Sequence, residues 1–215
     1  EESETNLYTD KKSEYKIVLP ANSLNLDTEE LAASELRFFM KDAGIEEGFS
    51  IVYDDEITYK EDGSYEFNNK YISIGDTKIF EQTDIRNDVY NDKQVFTEKF
   101  LGRDGFVIKT IGNTVVINAV GNNGKVYGVY GFLERNMDYR FYYKDEWAIY
   151  KGDSRKLNKM DVIDMPEFQS RYLDTATNAG NIVYMMRVRQ HGSQGASITG
   201  GMEGGGWKLS DQSLC

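Results

Sequence analysis

The stretch GFVIKTIGNTVVINAVG, residues 105–121, decides how this chain reads. Two β-branched runs flank Gly112-Asn113, a two-residue connection that tolerates positive φ, so the segment reads as a β-hairpin. The next segment, NNGKVYGVYGFLERNMD (122–138), has helical periodicity. Val126, Val129, Tyr130, Leu133 and Met137 fall on one face. Two more short strands are expected beyond it, YRFYY (139–143) and EWAIY (146–150).

Upstream of the hairpin, YKIVLP (15–20) is a β-rich run stopped by Pro20. Asp27 with Glu30 three residues on has the spacing of a capping box. A helix is predicted from there to about Ala43, with Ala32, Leu36, Phe39 and Ala43 on one face and Gly44 as its C-terminal cap. Strands FSIVY (49–53) and KYISIG (70–75) flank an acidic, tyrosine-rich insertion. Residues 76–100 are weakly patterned and read as loop with one short helix. The order of elements predicts an α+β fold, an α/β sandwich in which helices pack on one face of a mixed sheet.

The flanks read differently. Residues 1–14 are polar and charged and are expected to be a flexible leader; residues 151–164 read as a linker. At Met165-Pro166 the character changes. FQSRYLD (168–174) looks like a new strand and NIVYMMRVRQ (181–190) like a new helix, followed by the glycine-dense HGSQGASITGGMEGGGW.

Composition excludes some partners. Asp and Glu number 36 against 25 Lys and Arg, a net charge of −11. Such a surface repels phosphate backbones and anionic membranes, whereas a neutral sugar is compatible with it. No apolar run approaches the ~18 residues of a membrane span. Cys215 is the lone cysteine, so pairing within the chain gives no information about export. The polar start suits a mature chain freed of a signal or lipid-anchor region, and suits a trimmed chain equally well.

The segment from Gly102 to Glu134, G-x-x-G-F-V-I-K-T-x-G-N-T-V-V-I-N-A followed by G-K-V-Y-G-V-Y-G-F-L-E, resembles the small domain that precedes the barrel in family-20 β-N-acetylhexosaminidases. It is similar as well to the N-terminal domains of α-glucuronidases and of a group of bacterial secreted proteins. The resemblance spans roughly residues 15–150 and implies a secreted or cell-surface protein. It implies no catalytic residue, because that domain carries none in those families. A second match is Pro166-Glu167-Phe168-Gln169-Ser170-Arg171 with Asp174 after it, which resembles the first barrel strand of family-20 enzymes. There the arginine bonds hydroxyls of the bound sugar. The resemblance therefore marks Arg171 and Asp174 as sugar contacts, and Trp207 beside the Gly204–Gly206 run as a ring on which a sugar would stack. A guanidinium fork suits paired oxygens. The alternative at Arg171 is a structural ion pair with one of the many acids nearby.

A complete (β/α)₈ barrel needs roughly 250 residues, and only fifty follow Met165. Residues 165–215 thus read as the start of a barrel and not a whole one. The adjacent acids Asp54-Asp55-Glu56 and Asp145-Glu146 read as solvated faces, since glycoside hydrolysis wants two carboxylates facing each other across a sugar. One histidine, His191, leaves almost no material for a zinc site or a Ser-His-Asp triad. The sequence names no catalytic residue, no metal and no cofactor. It points to a non-catalytic accessory domain of a glycoside hydrolase-like protein, with carbohydrate met through the barrel portion. The alternative is a stand-alone glycan-binding or protein-interaction module, for which Tyr142, Tyr143, Trp147 and Tyr150 are candidate platform rings.

Overall fold

The computed structural model describes residues 2–89, 101–102, 104–143, 146–167, 171 and 182–189. The hairpin forms as expected. Strands β5 (Phe106–Ile111) and β6 (Thr114–Asn118) pair antiparallel with Ile111 opposite Thr114. Of the two connecting residues only Gly112 has positive φ, at 57°, the pattern of a type II′ turn.

Around the hairpin grows a six-stranded mixed sheet. Its order is β10 (Asp161–Asp164), β5, β6, β4 (Tyr71–Ile74), β2 (Lys16–Leu19), β3 (Ile51–Tyr53). The run β6-β4-β2-β3 is parallel, and β5 and β10 add antiparallel pairings. The fold is therefore α+β with a mixed sheet. Strand alternation sorts the side chains into two cores. Ile17, Leu19, Ile72, Ile74, Phe106, Ile108, Val115 and Ile117 meet the two long helices, α1 (Leu26–Asp42) and α4 (Asn122–Asn136). On the reverse face Val18, Val107 and Val116 meet Tyr65 of the insertion and two one-turn helices, α2 (Lys78–Glu81) and α3 (Arg86–Val89).

Helix α1 starts one residue before Asp27, and its N-cap Asn25 makes no side-chain cap bond. The expected capping box is not built: Glu30 instead accepts from the Tyr53 hydroxyl at 3.1 Å. The apolar face is as expected, with Ala32, Leu36, Phe39 and Ala43 all buried. The C-terminus closes in a Schellman motif. Gly44, at φ 85°, donates to the Lys41 carbonyl, Ile45 donates to the Met40 carbonyl, and Ile45 and Met40 are both buried.

The two polar flanks depart from the reading as leader and linker. Residues 2–8 form strand β1 (Glu2–Tyr8), paired antiparallel with β9 (Arg155–Asn158). Residues 161–164 form β10, the edge of the main sheet. Leu7, Tyr8 and Leu157 are buried, and Lys11 Nζ donates to the carbonyls of Ala43 and Lys151. A two-stranded ribbon draws its cohesion from backbone bonds and so leaves few apolar positions for composition to reveal.

Helix α4 is buried almost all the way round. Toward the sheet it presents glycines: a Cβ at Gly124 would lie 2.4 Å from the Gly105 carbonyl oxygen, and one at Gly128 would lie 2.5 Å from Ile117 Cγ2. Toward α1 it presents Lys125, whose Nζ lies 2.7 Å from Glu29 Oε1 with both side chains sealed from solvent. A second staple joins the same helices, the Tyr130 hydroxyl donating to Glu35 Oε2 at 2.7 Å. Removing one partner of a buried ion pair leaves the other as an unpaired buried charge. Lys125→Met is expected to lower the unfolding free energy by about 3–5 kcal/mol, and Lys125→Met with Glu29→Gln to recover at least half of that. Urea unfolding of both variants checks it; equal losses would show that the pair is not the source.

Candidate functional site

The polar cluster that stands out lies where the last described segment meets α1 and α4. Helix α5 (Ile182–Arg187) packs there, and three arginines of residues 171–189 close on three carboxylates of the preceding fold. Arg171 Nη2 lies 2.9 Å from Asp104 Oδ2, and Arg171 Nε donates to the Arg189 carbonyl at 3.1 Å. Arg189 Nη2 lies 2.9 Å from Glu134 Oε1. Arg187 makes a two-pronged pair with Glu35, Nε to Oε2 and Nη2 to Oε1, each at 3.0 Å.

Local structure positions each acid. Asp104 sits in the turn before β5, beside Gly105, and its other oxygen accepts from Asn123 Nδ2 in the first turn of α4. Glu35 lies on the inner face of α1 between Ala32 and Phe39, and is 2% exposed. Glu134 occupies one of the few partly exposed positions of α4. The pairs differ in setting accordingly. Arg187 and Glu35 are 9% and 3% exposed at the side chain, against 26% and 35% for Arg189 and Glu134. Water screens the last pair, which contributes at most about 1 kcal/mol, and leaves the first to dominate the junction.

Aromatic rings surround the junction. The Arg187 guanidinium carbon lies 5.1 Å from the Phe38 ring centre, 4.9 Å from Phe39 and 5.5 Å from Trp147. Burial drives the Tyr130 phenol well above its ordinary range, and the adjacent Glu35 charge pushes the same way. Tyr127 and Tyr139 are raised too, first by burial. Their hydroxyls and Asn123 Oδ1 are buried and have no hydrogen-bond partner among the described residues. For Arg187 burial alone favours the neutral form, but the bond to Glu35 and its charge outweigh this and raise the value.

Of the sugar contacts implied by resemblance, Arg171 is held in the ion pair with Asp104, while Asp174 and Trp207 lie outside the described residues, as do Gly204–Gly206, His191, Asp145 and Cys215. Asp54 is buried and fully employed in structure: one oxygen accepts from the Ala21 amide at 3.0 Å and the other from the Lys78 amide at 2.8 Å. Among the platform rings Tyr142 and Tyr143 are exposed, whereas Trp147 and Tyr150 pack against the core. A groove of about 620 Å³ runs along α1 between Arg37, Phe38 and Lys41 and the loop Gly44–Phe49, sharing Phe38 with the junction. Among the described residues no helix is long and apolar enough to cross a membrane. Sequence reasoning does not single out Glu35, Asp104, Glu134, Arg187 or Arg189. For Glu35 a signal is there, a carboxylate inside an apolar stripe at helical spacing.

No protein-family model matches the chain, and no curated protein matches it. Among solved structures the chain is similar to one titled "Structure of CpGH84D", at 15% identity and a TM-score of 0.43. That match covers 80% of this chain, which spans 23% of the other.

The buried phenols predict behaviour in alkali. Burial lifts Tyr8 and Tyr65 to about 12, against about 10 for a free phenol. A raised native value means the native state holds its protons longer than the unfolded chain does. The stabilisation is therefore complete below about pH 10 and is lost as the pH climbs towards 12. Fewer than the fifteen tyrosines are expected to show phenolate absorbance before near-UV circular dichroism collapses, with the rest ionising alongside that collapse. A single absorbance wave completed before any loss of tertiary signal would contradict this.

Proposed function

We propose that this chain is a non-catalytic accessory domain with the start of a barrel attached, and that its work is to hold the first β/α unit of a carbohydrate-active domain in a secreted glycoside hydrolase-like protein. One observation carries the reading: Arg171, Arg187 and Arg189 each close on an acid of the preceding fold, namely Asp104, Glu35 and Glu134. A single surface ion pair contributes little. Three from one short segment, one of them buried and two-pronged, define a seat for that segment. The resemblance of residues 102–134 and of Pro166–Arg171 to family-20 hexosaminidases supports the identity of the seated unit.

In this reading Arg171 sits where the seat meets the sugar-facing end of a barrel strand, with Asp174 and Trp207 contributing further sugar contacts. Its side chain is 21% exposed while bonded to Asp104, so an approaching hydroxyl would share an arginine already oriented by a carboxylate. The second reading, a stand-alone glycan-binding module, rests on Tyr142 and Tyr143, exposed at 66% and 50% on β7 (Arg140–Tyr143), the first strand of a two-stranded sheet with β8 (Glu146–Ala148).

The purified chain is expected not to turn over aryl N-acetylglucosaminide or aryl glucuronide substrates; turnover that copurifies with it would end the accessory reading. Glu35→Gln with Asp104→Asn is expected to speed amide hydrogen exchange in α5 at least about 10-fold relative to α1. Unchanged exchange would remove the seat. Saturable binding on a glycan array that disappears in Tyr142→Ala/Tyr143→Ala would favour the second reading.

A further inference from the structure

The Arg187 site has more shape than an ion pair needs. Three rings stand around the guanidinium and against one another. Phe38 and Phe39 are 5.0 Å apart at 82°, Phe39 and Trp147 5.7 Å apart at 90°, and Phe38 and Trp147 5.8 Å apart at 64°. The floor is Glu35, meeting Nε and Nη2 in parallel at 3.0 Å each.

The floor and two of the three walls are also held by something other than the arginine. Tyr130 donates to Glu35 Oε2 at 2.7 Å and fixes that carboxylate. The Trp147 indole N–H donates to Asp42 Oδ2 at 3.0 Å. Phe39 is fully buried against Tyr130 and Tyr139, with ring centres at 6.4 Å and 4.5 Å. Phe38 is the exception at 40% exposure, which leaves one side of the box open to solvent. A site whose parts are held before the ligand enters loses little entropy on binding.

We propose that Glu35, Phe38, Phe39, Tyr130 and Trp147 form a guanidinium-reading socket, which recognises the downstream segment through the planar head of Arg187 and admits a small alkylguanidinium when that side chain is absent. The chemistry separates guanidinium from ammonium. A guanidinium is flat and weakly hydrated, offers two parallel N–H groups to one carboxylate, and stacks on rings. A lysine ammonium is compact and strongly hydrated and cannot match the two oxygens in parallel. The socket thus reads the shape of the cation as well as its charge. This rests on the seating of Arg171 and residues 182–189 proposed above and adds the chemistry by which the seat chooses its occupant.

Chemical rescue in the full chain tests it. Arg187→Ala removes the atoms of ethylguanidinium. Its melting temperature is measured with ethylguanidinium or ethylammonium, each up to about 50 mM at constant ionic strength, near the millimolar affinity such small ions reach. Ethylguanidinium is expected to raise the melting temperature saturably by about 2–4 °C. It is also expected to shift Trp147 fluorescence in a Trp207→Phe background, while ethylammonium does neither and the chain with Arg187 intact gains nothing. Absence of rescue, equal rescue by ethylammonium, or an equal gain with Arg187 intact would each overturn the socket. Should Arg187→Ala not fold, Arg187→Lys decides: it keeps the charge and is expected to melt several degrees lower, and melting with the unsubstituted chain would overturn the proposal. A socket that fails here while α5 exchange still responds to Glu35→Gln/Asp104→Asn leaves the seat standing on charge alone.

Discussion

Helix α4 has almost no side turned to water, and the rest of the fold is arranged around that constraint. Of its fifteen residues only Asn122, Glu134 and Arg135 are not buried. A helix in that position must satisfy each of its neighbours at once. Against the sheet it does so with glycine, because Gly124 and Gly128 let its backbone approach β5 and β6 to distances that any side chain would block. Against α1 it uses polar atoms in pairs, Lys125 with Glu29 and Tyr130 with Glu35. Burying those groups is tolerable only because each charge meets its partner at bonding distance.

The downstream segment attaches at the edge of this layer. Glu35 and Asp104 are buried acids at the periphery of the α1–α4 layer, and each is completed by an arginine beyond residue 165 in the chain. The preceding fold therefore presents anionic seats whose cations arrive from elsewhere in sequence. In the proposed accessory reading this is a physically direct way to position the segment that carries those arginines. Direction comes from the two-pronged Arg187–Glu35 pair and its rings, and the more exposed Arg189–Glu134 pair adds little. The net charge of −11 works in the same sense, since an acidic body favours docking of a segment that carries arginines.

Much of the architecture is legible in the sequence. The hairpin about Gly112-Asn113, the apolar face of α1, the Gly44 cap and the strands β2, β3 and β4 arise from local periodicity and turn chemistry and are found where those rules put them, whereas α4 is buried well beyond the one face its periodicity marks. Illegibility has specific causes. Residues 2–8 and 155–158 look polar because a two-stranded ribbon is held by backbone bonds that side-chain composition does not record. The Asp27–Glu30 spacing has the pattern of a cap, but the helix begins earlier and Glu30 has a better partner in Tyr53.

The sequence by itself determined the hairpin, the two long helices and the short strands β2, β3 and β4, because hydrophobic period, glycine and turn residues act over a few neighbouring positions. Only the tertiary structure decided which acid meets which arginine. Glu35 and Arg187 are 152 residues apart, and Asp104 and Arg171 are 67 apart. No local rule links such positions. The pairing arises from tertiary packing that brings Glu35, Phe38 and Phe39 of α1 and Trp147 of β8 around the Arg187 guanidinium, with Tyr130 of α4 fixing the carboxylate.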